Sequence, residues 1–324
     1  MASMKLLESP VNPGDQLDHY RIDSVVSRSA AASVFRAVDL RTSTDVAIKI
    51  PLPDMQNDPT FTDRFNREVE IGEVLDHPSI IKVIPDRERT GIYMVMEWFD
   101  GKTLRDILKQ DRTIAPGRAA RIVAAVCDAL EYIHGHGIVH GDIRPENVMV
   151  GAGDRIKLID FGGAIKAAAR RLTMTKLSQA IGTSEYVSPE ELKGRRGDAR
   201  SDIYALGVML YEMLTGKMPF QGVELYDRIR NYPIPPREMD PGISPQLQEV
   251  IYRALEPDPQ NRYKSAHDFS QDLGHLEAVG VADRVEIRDW KKKRRKASSK
   301  LAIYVLIALI PIVLFALLLY VARR

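Results

Sequence analysis

Between residues 20 and 99, apolar and polar positions alternate in short runs separated by turns. Tyr20 to Val26, Ala32 to Val38 and Asp45 to Ile50 each read as a strand. Phe61 to Leu75 breaks that rhythm. Phe61, Phe65, Val69 and Val74 recur at helical spacing, with acids on the other face. Ile80 to Ile84 and Ile92 to Met96 resume the strand pattern and complete a five-stranded sheet. From Thr103 the spacing turns helical over 103–110, 116–135, 200–216, 245–255 and 265–277. The pattern predicts an α+β molecule, a small β-rich lobe followed by a larger helical one. Residues 1–19, with Pro10, Pro13 and Gly14, read as a loose leader. They lack the basic-then-apolar order of a signal peptide.

One run departs from all of this. Residues 301–322 are uncharged and almost wholly apolar, long enough at about 1.5 Å per residue to span a bilayer core. Pro311 is tolerated in a lipid helix, and Tyr304 and Tyr320 sit near its ends, where aromatic rings favour the interface. The run predicts a single transmembrane helix. Lys291 to Lys296 and Lys300 precede it, and only Arg323 and Arg324 follow. Positive charge is retained on the cytoplasmic side, so the body is expected to face the cytoplasm. The same basic run, in a linker over 278–300, suits anionic lipid headgroups.

Charge is split accordingly. Nine Lys or Arg and no acid stand in residues 291–324, so the rest carries −7 within a chain of net +2. An acidic body argues against nucleic acid as partner. The 44% apolar and 28% charged content is that of a globular protein. Cys127, in an Ala-rich helical stretch, has no partner for a disulfide within the chain and reads as a small buried apolar residue.

The chemistry concentrates in His140-Gly141-Asp142-Ile143-Arg144-Pro145-Glu146-Asn147 and Asp160-Phe161-Gly162. Asp142 offers a carboxylate that can accept a proton. Asn147 follows five residues later, and Asp160 follows thirteen residues after that. Together they can hold Mg²⁺ on a nucleotide and orient a hydroxyl for in-line attack on its terminal phosphate. The order resembles the catalytic loop and metal motif of eukaryotic-like (Hanks-type) bacterial serine/threonine protein kinases.

The resemblance covers about residues 20–277. It implies the two-lobed kinase fold, with a small lobe over 20–96, a hinge over 97–101 and a large lobe over 102–277. It implies ATP, with Mg²⁺ or Mn²⁺, as cofactors. Asp142 takes the place of the catalytic base, and Asn147 and Asp160 those of the metal ligands. Lys49, in Val46-Ala47-Ile48-Lys49, matches the lysine on the α- and β-phosphates. Glu68 matches its helix partner, with Glu70 as the alternative. Arg144 stands where a lysine usually lies beside the γ-phosphate. Val26, Ser27, Ser29, Val34, Ala47 and Met149 fall around the nucleotide, with Met96 as gatekeeper and Glu97 and Phe99 at the hinge. Thr183, in Gly182-Thr183-Ser184-Glu185, implies serine/threonine specificity. Glu190 with Arg262, and Asp202, take structural places.

Three positions depart from the family pattern. The phosphate-covering loop has Ser27, Ser29 and Ala32 in place of its three glycines, which predicts a stiffer loop and weaker ATP binding. Gly141 replaces an arginine that pairs with a phosphorylated activation segment. Activity is therefore expected not to depend on such a phosphate, although Thr173, Thr175 and Ser178 are candidate sites. Gly72 replaces a bulky apolar residue in the stack with His140 and Phe161, which predicts a hole there. The expectation is a membrane-anchored kinase acting on protein substrates, with homodimerisation possible. The alternative is a pseudokinase scaffold with weak or no catalysis.

Overall fold

In the computed structural model, which describes residues 11–166, 185–220, 232–284, 287, 288 and 290, the early alternation becomes an antiparallel sheet. It begins with β1 (Gln16–Leu17), β2 (Tyr20–Arg28), β3 (Ala32–Asp39) and β4 (Thr44–Pro51). Side chains on a strand point to opposite faces in turn, and β4 shows what that does. Val46, Ile48 and Ile50 are buried with Ile22, Phe35, Tyr93 and Val95 in one cluster, while Ala47 packs on a second. Lys49, two residues on from Ala47, shares its face.

After α1 (Pro53–Gln56), helix α2 (Pro59–Val74) covers that face. Asp58 caps it by accepting the Thr60 amide at 2.8 Å, and Pro59 fixes its first turn. Its buried positions, Phe65, Glu68, Val69, Ile71 and Gly72, form one stripe. The second cluster joins Phe65 and Val69 to Val83, Met94 and Met96 of β5 (Val83–Ile84) and β6 (Met94–Glu97).

The sheet has the order β1-β2-β3-β4-β6-β5, six strands where the pattern predicted five. The sixth comes from the supposed leader, whose Leu17 is buried and pairs with Tyr20. β5 is shorter than expected because Ile80 and Ile81 take another partner. Ile80 bridges Leu158, and the Ile81 amide donates to the Leu158 carbonyl at 3.0 Å.

Past Glu97, β7 (Gly101–Thr103) leads into α3 (Leu104–Asp111) and α4 (Pro116–Gly135). Then come β8 (Ile138–Val139), β9 (Val148–Gly151), β10 (Ile156–Leu158) and β11 (Ile165–Lys166), which form two small sheets, β10-β9-β7 and β11-β8. The helical part continues as α5 (Pro189–Leu192), α6 (Ala199–Thr215), α7 (Pro236–Met239), α8 (Pro245–Ala254) and α9 (Ala266–Gly274). Every residue of α6 from Ser201 to Leu214 is buried, so this helix is the axis of the large lobe. α4 and α8 pack on it, and the loop between β8 and β9 rests on its first turn.

The chain does not leave this lobe at residue 277. Val279 is part of its core. Arg284 donates to Glu249 at 2.9 and 2.8 Å and to Glu256 at 2.7 Å, with its guanidinium 5.3 Å from the Tyr252 ring centre. The first part of the expected linker is thus packed on α8. The expected membrane span 301–322, the basic run 291–300, and Thr173, Thr175, Ser178 and Thr183 lie outside the described residues. Among the described residues no helix is long and apolar enough to cross a membrane.

Candidate active site

Three charged side chains from three elements meet at the cleft. The Lys49 ammonium lies 2.6 Å from Glu68 Oε1 and 3.6 Å from Asp160 Oδ2. Glu68 is therefore the helix partner, and Glu70, on the exposed side of α2, is not. Burial would push the Lys49 pKa down, but Glu68 and then Asp160 outweigh it and hold it above its ordinary value. Burial would likewise raise the Asp160 carboxyl. Lys49 and the Gly162 amide overcome that and keep it low, hence ionised at neutral pH. Asp160 adopts φ 66°, a left-handed conformation costly for a residue with a Cβ. Its Oδ1 accepts the Gly162 amide at 2.9 Å, which closes the turn on the Asp160 side chain.

The second half of the site is the loop between β8 and β9. Asn147 Nδ2 donates to both the carbonyl and Oδ2 of Asp142, at 2.8 and 2.9 Å. That leaves the Asn147 amide oxygen, which accepts rather than donates, free of this contact. The loop is held from below by Asp202, which accepts the His140 and Gly141 amides at 2.9 and 2.8 Å and pairs with His134 Nε2 at 2.8 Å. His140 packs on Phe161 with the rings tilted at 54° and their centres 5.1 Å apart, which links this loop to the Asp160 turn.

Asn147 and Asp160 offer oxygen donors only, a set suited to a hard cation such as Mg²⁺. Among the described residues no three or more His, Cys, Asp or Glu gather as a metal site. A cation here would therefore share its sphere with phosphate and water, as Mg²⁺ usually does.

Arg144 is engaged within its own loop. Its Nε donates to Glu146 at 2.8 Å, and Arg105 donates to the other Glu146 oxygen, also at 2.8 Å. Burial would raise the Glu146 carboxyl, but the bonds from Arg144 and Arg105 outweigh it and bring its pKa down to about 2. Glu190 and Arg262 form a bidentate buried pair at 2.8 and 2.7 Å, with Ser201 also donating to Glu190 at 2.7 Å.

Of the residues expected around a nucleotide, Ala47 pairs with Met96 across β4 and β6, and Val34 with Lys49 across β3 and β4. Met96 and Phe99 are buried, with Ala47 and Met149 packed against them. Val26 is exposed at the opposite edge, as are Ser27 and Ser29. Glu97 uses its side chain structurally: Oε1 accepts the Lys82 amide at 2.9 Å and lies 2.5 Å from the Lys157 ammonium.

The departures acquire physical reasons. No hole exists beside Gly72, because a Cβ there would lie 2.2 Å from Val83 Cγ2; β5 occupies the space. Gly141 has φ +71°, and a Cβ on it would meet the Gly163 carbonyl oxygen at 2.9 Å. Sequence reasoning also missed two residues. Arg64, one turn before Glu68, donates through Nε to the Gly162 carbonyl at 2.5 Å and so ties α2 to the Asp160 turn. His134 is the other. A cation at four residues before Glu68 was the only signal for Arg64, and exposed helix faces carry many such charges.

A family profile described as protein kinase domain matches residues 20–273. The serine/threonine-protein kinase PknB of Mycolicibacterium smegmatis is 40% identical over 265 residues, 79% of this chain and 42% of that protein. PknB of Mycobacterium tuberculosis is 38% identical over 270 residues, 81% of this chain and 43% of that protein. The chain thus spans less than half the length of these curated relatives. The crystal structure of the Mycobacterium tuberculosis PknI kinase domain matches with a TM-score of 0.64 at 27% identity, over 82% of this chain and 100% of that one.

Proposed function

The chain belongs to the protein kinase domain family, and from that premise we propose that it transfers the γ-phosphate of ATP to serine or threonine hydroxyls of proteins. The observation that carries this reading is that Lys49 meets Glu68 and Asp160, that Asn147 holds Asp142, and that the His140–Phe161 ring contact ties the two groups together. Lys49, held charged by Glu68, orients the α- and β-phosphates. Asp142, oriented by Asn147, positions the substrate hydroxyl and accepts its proton late, since a loose transition state needs little early abstraction. Asp160 and Asn147 would hold Mg²⁺ or Mn²⁺, which neutralises charge on the phosphates when bound. Arg144 would have to exchange Glu146 for phosphate to act on the γ-group.

The same reading places the catalytic body on the cytoplasmic face of a membrane. It is supported by the apolar run 301–322 and the basic residues before it. Co-sedimentation of the full chain with vesicles, compared with residues 1–290, tests that part.

Transfer of labelled γ-phosphate to a generic protein acceptor by residues 1–290 with Mg²⁺ or Mn²⁺ tests the activity, beside Asp142→Asn. The expected result is transfer by the parent and loss of about 10²-fold or more in the variant. Equal signal from both would sink the proposal. Tight nucleotide binding without transfer would favour the scaffold alternative.

A further inference from the structure

The loop over residues 27–32 closes without glycine, and Ser29 closes it. The Ser29 amide and hydroxyl both donate to the Ala32 carbonyl, each at 2.9 Å. The same hydroxyl oxygen accepts the Ala32 amide at 3.0 Å and the Ala31 amide at 3.2 Å. From β4's end, the Leu52 amide donates to the Ala31 carbonyl at 2.9 Å and steadies the tip. No residue from Ser27 to Val34 has a positive φ. The freedom that glycine would confer is therefore not used here. A side-chain oxygen does the work of a special backbone.

This arrangement has a chemical consequence. The amides of such a loop are what it can offer to phosphate oxygens. Two of them, at Ala31 and Ala32, already point at an oxygen acceptor that belongs to the protein. A nucleotide gains those amides only by displacing the Ser29 hydroxyl. Ala32 pairs with Pro51, four residues along β4 from Ala47, which pairs with Met96, so the side expected to take adenine is separated from this turn and outside the competition.

We infer that Ser29 is a specificity-determining residue of the nucleotide site: its hydroxyl stands in for a phosphate oxygen and holds the loop shut, so that recognition leans on the adenosine end of the ligand. The inference rests on the phosphotransfer reading above and names a control on that same site. Ser29 is exposed, and its hydroxyl bonds stay within the turn, so substitution leaves the lobe's core intact.

The test is calorimetric titration of the full chain, in detergent, with Mg²⁺-ATP and separately with adenosine. Removing the oxygen in Ser29→Ala frees two amides. ATP affinity should rise about 2–10-fold, the scale of one net hydrogen bond, while adenosine affinity stays within about twofold. Ser29→Gly should behave as Ser29→Ala does, and Ser29→Thr, which restores the oxygen, should return ATP affinity toward the parent value.

If Ser29→Ala binds ATP no better than the parent, the inference is wrong. It is equally wrong if only Ser29→Gly improves binding, because then the backbone and not the hydroxyl is limiting. It also fails if adenosine binding tightens as much as ATP binding. Failure of the parent to bind either ligand would overturn the phosphotransfer reading itself, and this inference with it.

Discussion

Gly141 occupies a conformation that few other residues adopt, so its presence says more about the backbone than about regulation. At φ +71° a Cβ costs roughly 1–2 kcal/mol, before its 2.9 Å approach to the Gly163 carbonyl oxygen is counted. Gly141→Ala should therefore lower the melting temperature by about 2–8 °C, and Gly141→Arg should do so without making the proposed activity responsive to phosphorylation. A variant as stable as the parent in a thermal scan would refute this account. Glu146 gives the second residue-level expectation. Its carboxyl is held at about 2 against an ordinary 4.5. A lowered pKa contributes stability that is complete above 4.5 and is lost as pH falls through about 2. In Glu146→Gln, melting temperature should fall less steeply across that window than in the parent. Parallel slopes would mean that Arg144 and Arg105 contribute nothing through this charge.

At the scale of elements, the contact of α2 with β5 decides how Glu68 reaches Lys49. Gly72 lies one turn beyond Glu68, and only the absence of its Cβ lets the helix sit against Val83. Gly72→Ala should push α2 outward, costing about 1–3 kcal/mol by overpacking and raising the KM for ATP as the 2.6 Å ion pair lengthens. Val83→Ala in the same chain should recover part of both losses. A double-mutant cycle with no coupling would remove the argument. The bulk expected at residue 72 was thus delivered by the neighbouring strand, something that a reading along one helix does not reveal. β2, β3, β4, α4 and α6 were legible because period-2 alternation or continuous apolar helical spacing runs through each of them. β1 was not, since two residues carry no period. β5 was overextended because Ile80 and Ile81 are apolar for the sake of Leu158. The family resemblance pointed to Lys49, Glu68, Asp142, Asn147 and Asp160, whose mutual contacts the fold supplies, whereas the bonds of Arg64 and His134 depend on tertiary placement that motifs do not encode.

For the molecule as a whole, the open question is where the folded body ends and the tail begins. Periodicity ends near residue 277 because the last helical spacing fades there, and the charged run that follows looks solvated. Arg284 contradicts the second impression. Its side chain is 12% exposed, that of Glu249 4%, and the two share a bidentate contact with Glu256 alongside. Removing one partner of such a pair leaves carboxylates buried without their counter-charge, which typically costs about 3–5 kcal/mol. Arg284→Ala should therefore lower the melting temperature of the large lobe by about 6 °C or more. It should also make the chain beyond Val279 more rapidly cleaved in limited proteolysis. A truncation after residue 277 should be less stable than one after residue 288 by a similar amount. Lys at position 284 should rescue only in part, because an ammonium cannot form the planar fork that meets two carboxylates. Equal melting temperatures for the two truncations would show that the body does end where the periodicity does. Otherwise Glu249 of α8, with Glu256 just beyond it, holds the chain on the large lobe as far as Arg284, seven residues past the end of the periodicity.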